Sequence, residues 1–156
     1  VAEPVDMREV AGRVLIEAAR DAARHAHAPY SNFGVGAAVL LTDGSVVTGT
    51  NFENASYGLS LCAETVAIAS ASAQGRLRDI AAIGVVGGAL AKDGTISGQG
   101  LVTPCGRCRQ IINEAADLSG SDVDIYCASA DGSAFRHFRA SELLPHAFGP
   151  ADLGIR

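Results

Sequence analysis

The chain has 156 residues, 48% of them apolar, and a formal charge of −5 at neutral pH. That length can enclose one sizeable core, so a single domain over residues 1–156 is expected, and no apolar run approaches the ~20 residues of a membrane-spanning helix. The acidic balance opposes a partner held through many phosphates, so a small neutral or cationic substrate is expected rather than nucleic acid.

Residues 1–6 carry neither the basic nor the apolar stretch of a secretory leader, and a cytoplasmic location is expected. Asp6 followed by Glu9 resembles a capping box, and Val10, Val14, Leu15, Ala18 and Ala22 recur on one helical face until Pro29, which predicts a helix laid on the core. Residues 33–41 and 46–51 are apolar runs separated by Thr42-Asp43-Gly44-Ser45, a hairpin signal. From Cys62 to Gln74 the chain is Ala-rich and apolar nearly all round, with Gly75 as a stop, which predicts a buried helix.

Residues 81–86 form a short apolar strand, and the Gly-rich residues 87–100 are expected to be a mobile loop leading to Leu101 and Val102. That loop lacks the Lys-Ser/Thr ending of a phosphate-binding loop. Residues 105–118 place Ile111, Ile112, Ala115 and Leu118 at helical spacing, and residues 123–128 read as a strand. The alternation predicts an α/β fold: a mixed sheet covered by helices, its helix-linked later strands parallel.

Two of the four cysteines form a C-x-x-C pair, which in a chain able to bury its own core points to metal or redox chemistry rather than a disulfide scaffold. Cys105 and Cys108 share one face of a helical first turn, so both sulfurs can reach one ion. Unpaired N–H groups and the helix dipole favour thiolate there, and likewise at Cys62 at its own helix start. Three thiolates leave a tetrahedral zinc one open position, the arrangement of catalytic rather than structural zinc. Glu64, two residues after Cys62, is then the natural proton shuttle. Asn51 and Glu53, two apart at a strand end, face the same way. Cys127 reads as a buried core thiol, and His25, His27, His137 and His146 form no ligand-spaced cluster and are given no role.

Cys62-Ala63-Glu64 with Pro104-Cys105-Gly106-Arg107-Cys108 resembles the signature of the zinc nucleoside deaminases. The likeness extends to residues 29–38, 51–57 and 143–148, and together these segments resemble the homotetrameric, three-cysteine cytidine deaminases. The resemblance implies a three-layer α/β/α sandwich around a mixed five-stranded sheet, with one zinc per subunit. It further implies hydrolysis of cytidine and 2′-deoxycytidine in pyrimidine salvage, with Glu64 protonating N3 of the cytosine and then carrying a proton to the departing amine.

By the same likeness Asn51 and Glu53 hold the ribose, Phe33 and Ala63 contact substrate, and Tyr57 and Phe148 reach it from neighbouring subunits of a tetramer. Many three-cysteine members carry Arg directly after the catalytic Glu to offset thiolate charge, whereas this chain has Thr65. Arg107 or Arg109 is the candidate replacement. A relative that deaminates the antibiotic blasticidin S, and a non-catalytic zinc-stabilised interaction module, are the rival readings. The acidic balance opposes a third, editing of nucleic acid.

Overall fold

A computed structural model describes residues 1–156. The first helix, α1 (Met7–Ala23), starts on Asp6, whose carboxylate accepts the N–H of Arg8 at 2.9 Å. The expected capping box does not form, because Glu9 turns along the helix to pair with Arg13 at 2.8 Å. The buried stripe also differs from the expected one: Gly12, Leu15, Ile16, Ala19 and Ala23 face the sheet, while Val10 and Val14 are 41% and 60% exposed. Glycine decides this, since a Cβ at Gly12 would lie 2.3 Å from the Tyr126 ring, so the helix approaches the sheet along its glycine side. The helix ends at Ala23, short of Pro29, and residues 25–28 turn so that His27 can bridge to Phe52.

The hairpin is present as β1 (Phe33–Leu41) and β2 (Val46–Thr50), closed through Gly44 at φ 87°. Next comes α2 (Ala63–Ala73), with Cys62 as its N-cap and Gly75 in the left-handed region beyond its end. Only one side of α2 is buried, through Ala63, Glu64, Ala67, Ile68 and Ala71; Ala69, Ser72 and Ala73 face outward, so the helix is half covered rather than enclosed.

The following strand, β3 (Ile80–Leu90), runs four residues beyond the expected end into the Gly-rich stretch, and β4 (Ile96–Ser97) folds back against it. Gly88 belongs in the strand because a Cβ there would lie 2.3 Å from the Ser97 carbonyl oxygen; Gly87 and Gly88 thus extend β3, while Gly94, Gly98 and Gly100 lie in the turn and irregular chain around β4. Then come α3 (Gly106–Ser119), capped by Cys105 and ended by Gly120 at φ 71°, and β5 (Asp124–Ser129). Beyond the last expected strand lie β6 (Phe135–Arg139) and a single turn, α4 (Ala140–Leu143).

The sheet has the order β2-β1-β3-β5-β6, with β4 paired to the end of β3. As expected for strands joined by a crossover helix, β3 and β5 are parallel; the other pairings are antiparallel. Alternate residues divide between two apolar layers. Ala38, Ala82, Val86 and Ala128 pack with Leu15, Ile16 and Ala19 of α1, whereas Val39, Ile83, Val85 and Ile125 pack with Ala67 and Ile68 of α2 and Ile112 of α3. The result is the expected α/β/α sandwich. Burying each Leu or Ile of these layers contributes about 1.5–3 kcal/mol. No helix is long and apolar enough to cross a membrane.

Candidate active site

Two helix starts converge on one point. Cys62 caps α2 and Cys105 caps α3, each with an extended backbone, and Cys108 follows in the first turn of α3. The approach of α2 is set by β2 beneath it: a Cβ at Gly49 would lie 2.5 Å from the Ala67 nitrogen, so the glycine lets the helix seat on the strand. On its other side, the chain entering α2 is tied down by Phe52 and Leu61, which exchange backbone hydrogen bonds of 2.9 and 2.8 Å.

The sulfurs of Cys62, Cys105 and Cys108 all lie within 4.8 Å of one another, and those of Cys62 and Cys105 are 3.8 Å apart. Ligand sulfurs about 2.3 Å from a tetrahedral zinc stand about 3.8 Å from each other, so this donor set fits that ion. No disulfide joins them. Burial opposes the charged form at all three. It prevails at Cys62 and at Cys108, whose thiols are pushed up; at Cys105 the neighbouring backbone and thiol groups of Cys108, together with Cys62, outweigh it and the thiol is lowered. A divalent cation at the centre favours thiolate at every position.

Glu64 lies in the same first turn as Cys62's helix start and is only 4% exposed; burial pushes its carboxyl up. It lines a cavity of about 290 Å³ together with Cys62, Cys105, Ala63, Asn51 and Glu53, walled by the apolar Val35, Leu61 and Val102. A second cavity of about 320 Å³ shares Glu53 and Ser60 with the first and is lined further by Tyr30, Ser31 and Tyr57. The two together offer an apolar-walled end beside the sulfurs and a polar end beside Glu53.

Glu53 is held in place from β1's entry turn. Its carboxylate accepts the N–H of Tyr30 at 2.9 Å, the N–H of Ser31 at 3.2 Å and the Ser31 hydroxyl, and this last bond foremost holds it below the usual carboxylate range despite some burial. The Asn51 carboxamide bridges β1, accepting from the Val35 N–H at 2.9 Å and donating to the Phe33 carbonyl at 2.8 Å, which leaves it one N–H for a ligand.

Not every expected residue is brought to the cavities. Phe33 starts β1 and lines neither of them. Tyr57 is 73% exposed and lines the chain's own second cavity, its ring edge-on to Tyr30 at 5.6 Å. Phe148 is 62% exposed, and its carbonyl accepts from Gln110 at 2.8 Å.

The arginines expected to offset thiolate charge donate to no sulfur. Arg107 is exposed on the first turn of α3, and Arg109 donates to the carbonyls of Pro104 at 2.8 Å and Leu143 at 3.1 Å, bracing the turn ahead of Cys105. Cys127 is fully buried, as expected, and burial pushes its thiol up to about 12. Of the histidines, His137 pairs with Asp124 at 2.7 Å and stacks on Tyr126, on the α1 side of the sheet. Ser31, Ser60 and Val102 are site residues that spacing alone does not single out, because their partners lie far along the chain.

Comparison with known proteins agrees with this geometry. A family model described as the cytidine and deoxycytidylate deaminase zinc-binding region matches residues 12–119. A cytidine deaminase of Halalkalibacterium halodurans is 43% identical over 90% of this chain and 96% of its own length. One of Mycobacterium tuberculosis is 41% identical over 94% of this chain and 96% of its own. The crystal structure of cytidine deaminase from Burkholderia pseudomallei superposes with a TM-score of 0.74 at 43% identity, covering 87% of this chain and 98% of that one. With a matching fold, a zinc-fitting trio of sulfurs and likeness across nearly the whole chain, the protein belongs to the cytidine and deoxycytidylate deaminase family.

Proposed function

We propose that this chain hydrolyses cytidine and 2′-deoxycytidine to uridine and 2′-deoxyuridine, releasing ammonia, as a single catalytic domain in a cytoplasmic homotetramer serving pyrimidine salvage. One observation carries the reading: three sulfurs are spaced for zinc, and two of them, those of Cys62 and Cys105, line a cavity together with a buried carboxylate. The names of the relatives support the substrate, since those compared are cytidine deaminases.

Cys62, Cys105 and Cys108 would hold one zinc ion. When bound, zinc supplies the Lewis acidity that makes water nucleophilic near neutral pH. Water adds at C4 of the ring and the amine departs as ammonia, so one proton must move from the water to N3 and another to the leaving nitrogen. Glu64 is placed for both transfers, because its carboxylate is buried in the cavity wall beside the sulfurs. Val35, Leu61 and Val102 give that end an apolar wall, which strengthens the charge interactions beside it. At the polar end, Glu53 and the remaining Asn51 N–H are the partners for ribose hydroxyls. Ala63 lines the same cavity and is the further contact for the base.

Exposed Phe52, Tyr57, Leu59 and Phe148 support contact with further copies of the chain, from which Tyr57 and Phe148 would approach a neighbour's site. Phe33, also partly exposed, is the further aromatic for the base. The test is ultraviolet monitoring of cytidine, deoxycytidine and blasticidin S at equal concentration, with and without a zinc chelator. Chelator-sensitive loss of cytidine and deoxycytidine absorbance is expected; turnover of blasticidin S alone, or of none of the three, overturns the reading.

A further inference from the structure

We propose that the Thr65 hydroxyl positions the metal centre by donating a hydrogen bond to the Cys108 sulfur, which fixes the direction of that ligand and draws off part of its negative charge. The inference rests on reading Cys62, Cys105 and Cys108 as zinc ligands.

Thr65 follows Glu64 in the first turn of α2, and its Oγ1 lies 3.6 Å from Cys108 Sγ in the first turn of α3. The contact therefore links the two helices that supply the ligands, across 43 residues of sequence. A thiolate ligand carries no proton, so the hydroxyl must be the donor. A helical threonine ordinarily has another partner, the carbonyl four residues back. That carbonyl belongs to Leu61, and it accepts the Phe52 N–H at 2.9 Å, while Thr65 donates nothing to it. The hydroxyl is thus directed at the sulfur.

Cys108 is the ligand with most need of a donor. It is 0% exposed, whereas Cys105 is exposed and Cys62 partly so, and water can therefore reach those two but not Cys108. The Glu64 charge also bears on it. An anionic sulfur buried near a carboxylate is costly unless hydrogen-bonded. Neither nearby arginine supplies the bond, since Arg109 is committed to the carbonyls of Pro104 and Leu143 and Arg107 points to solvent. Thr65 is the one side-chain hydroxyl or cationic group hydrogen-bonded to any of the three sulfurs. Being neutral, it relieves Cys108 without adding a full positive charge beside Glu64.

Groups that hydrogen-bond a metal ligand commonly account for about 10–100-fold in metal affinity. Thr65→Val removes the O–H at nearly constant shape, and Thr65→Ser keeps it. Both variants and the parent are loaded with zinc and titrated with a chromophoric chelator, and their cobalt(II) forms are compared by the sulfur-to-metal charge-transfer absorption. The expectation for Thr65→Val is about tenfold easier loss of zinc and a charge-transfer band moved to longer wavelength, as the sulfur regains electron density. Thr65→Ser should match the parent in both readouts. A Thr65→Val protein with parental zinc retention and an unmoved band overturns the proposal, as does a Thr65→Ser protein perturbed as much as Thr65→Val, because packing would then be the cause. If the parent binds neither zinc nor cobalt, the metal reading itself fails, which separates that failure from this one.

Discussion

Ser31 and Glu53 are joined across 22 residues of chain: the Ser31 hydroxyl and N–H both donate to the Glu53 carboxylate, and Tyr30 adds a second N–H. The bond locks the turn entering β1 to the segment leaving β2, and it presents a carboxylate, already charged, at the polar end of the cavities. A carboxylate so oriented can accept a sugar hydroxyl without first being reorganised.

Replacing Glu53 by Gln should therefore act on binding. One hydrogen bond to a charged group contributes about 1.5–3 kcal/mol, so kcat/KM for cytidine is expected to fall about 10–100-fold, chiefly through KM, with zinc content unchanged. Steady-state kinetics beside metal analysis check this. An unchanged KM would remove Glu53 from the substrate site.

Glu64→Gln tests the opposite split. The amide keeps the shape of the buried side chain but cannot shuttle protons, so zinc should stay bound while kcat falls by at least about 10²–10⁴-fold. Retention of substantial turnover in this variant would assign the proton transfers elsewhere.

Acid should destabilise the fold in a defined window. Glu53 is held low first by the Ser31 hydroxyl, Asp43 by the Ser45 hydroxyl, and Asp131 by the Ser133 N–H. A carboxylate whose folded pKa lies below its unfolded value contributes stability that is fully present above the unfolded value, about 3.9 for Asp and 4.3 for Glu, and is lost as pH falls through the folded one. The contribution of these three groups to Tm should be constant above about pH 5 and decline below about pH 4. Variants Ser31→Ala and Ser45→Ala should each show a shallower acid decline than the parent; equal slopes would contradict the assignment.

Gly49→Ala probes how α2 is seated. The added Cβ would meet the Ala67 backbone nitrogen at 2.5 Å, and neither β2 nor the helix can yield without moving the other. Overpacking of this kind costs about 1–3 kcal/mol, seen as a lower denaturation midpoint in urea. Because Cys62 and Glu64 ride on the same helix, weaker zinc retention should accompany the lost stability. A midpoint equal to the parent's would show that the strand and helix are not held in contact there.

Zinc removal should lower thermal stability as well as activity. A ligand that binds only the folded chain contributes about 2.7 kcal/mol at a free concentration a hundredfold above its Kd. Calorimetry with and without chelator is the measurement, and coincident transitions would mean that the three sulfurs hold no ion.

Short-range features were legible in the residues themselves. Cys105 and Cys108 share a helical turn, and Glu64 lies in the turn that Cys62 caps, because a helix repeats every 3.6 residues whatever surrounds it. The hairpin around Asp43-Gly44 follows from turn chemistry in the same way. Features that depend on what packs against an element were not legible. The buried face of α1 was set by the Tyr126 ring against Gly12, and Gly87 and Gly88 continue a strand because β1 and Ser97 close on them. Strand β6 mixes Phe with Arg and His at a sheet edge, where one side stays wet and no clean alternation is required.

The sequence by itself determined the donor set, three cysteines and a glutamate at helix starts, because ligand chemistry and helical spacing are local properties. Only the tertiary structure decided that sulfurs 43 residues apart come within 3.8 Å, that Arg109 turns to carbonyls while Thr65 meets Cys108, and that Ser31 anchors Glu53. Those meetings depend on how β1, β2 and β3 register and on where glycine lets a helix approach the sheet, quantities summed over the whole core and written in no single segment.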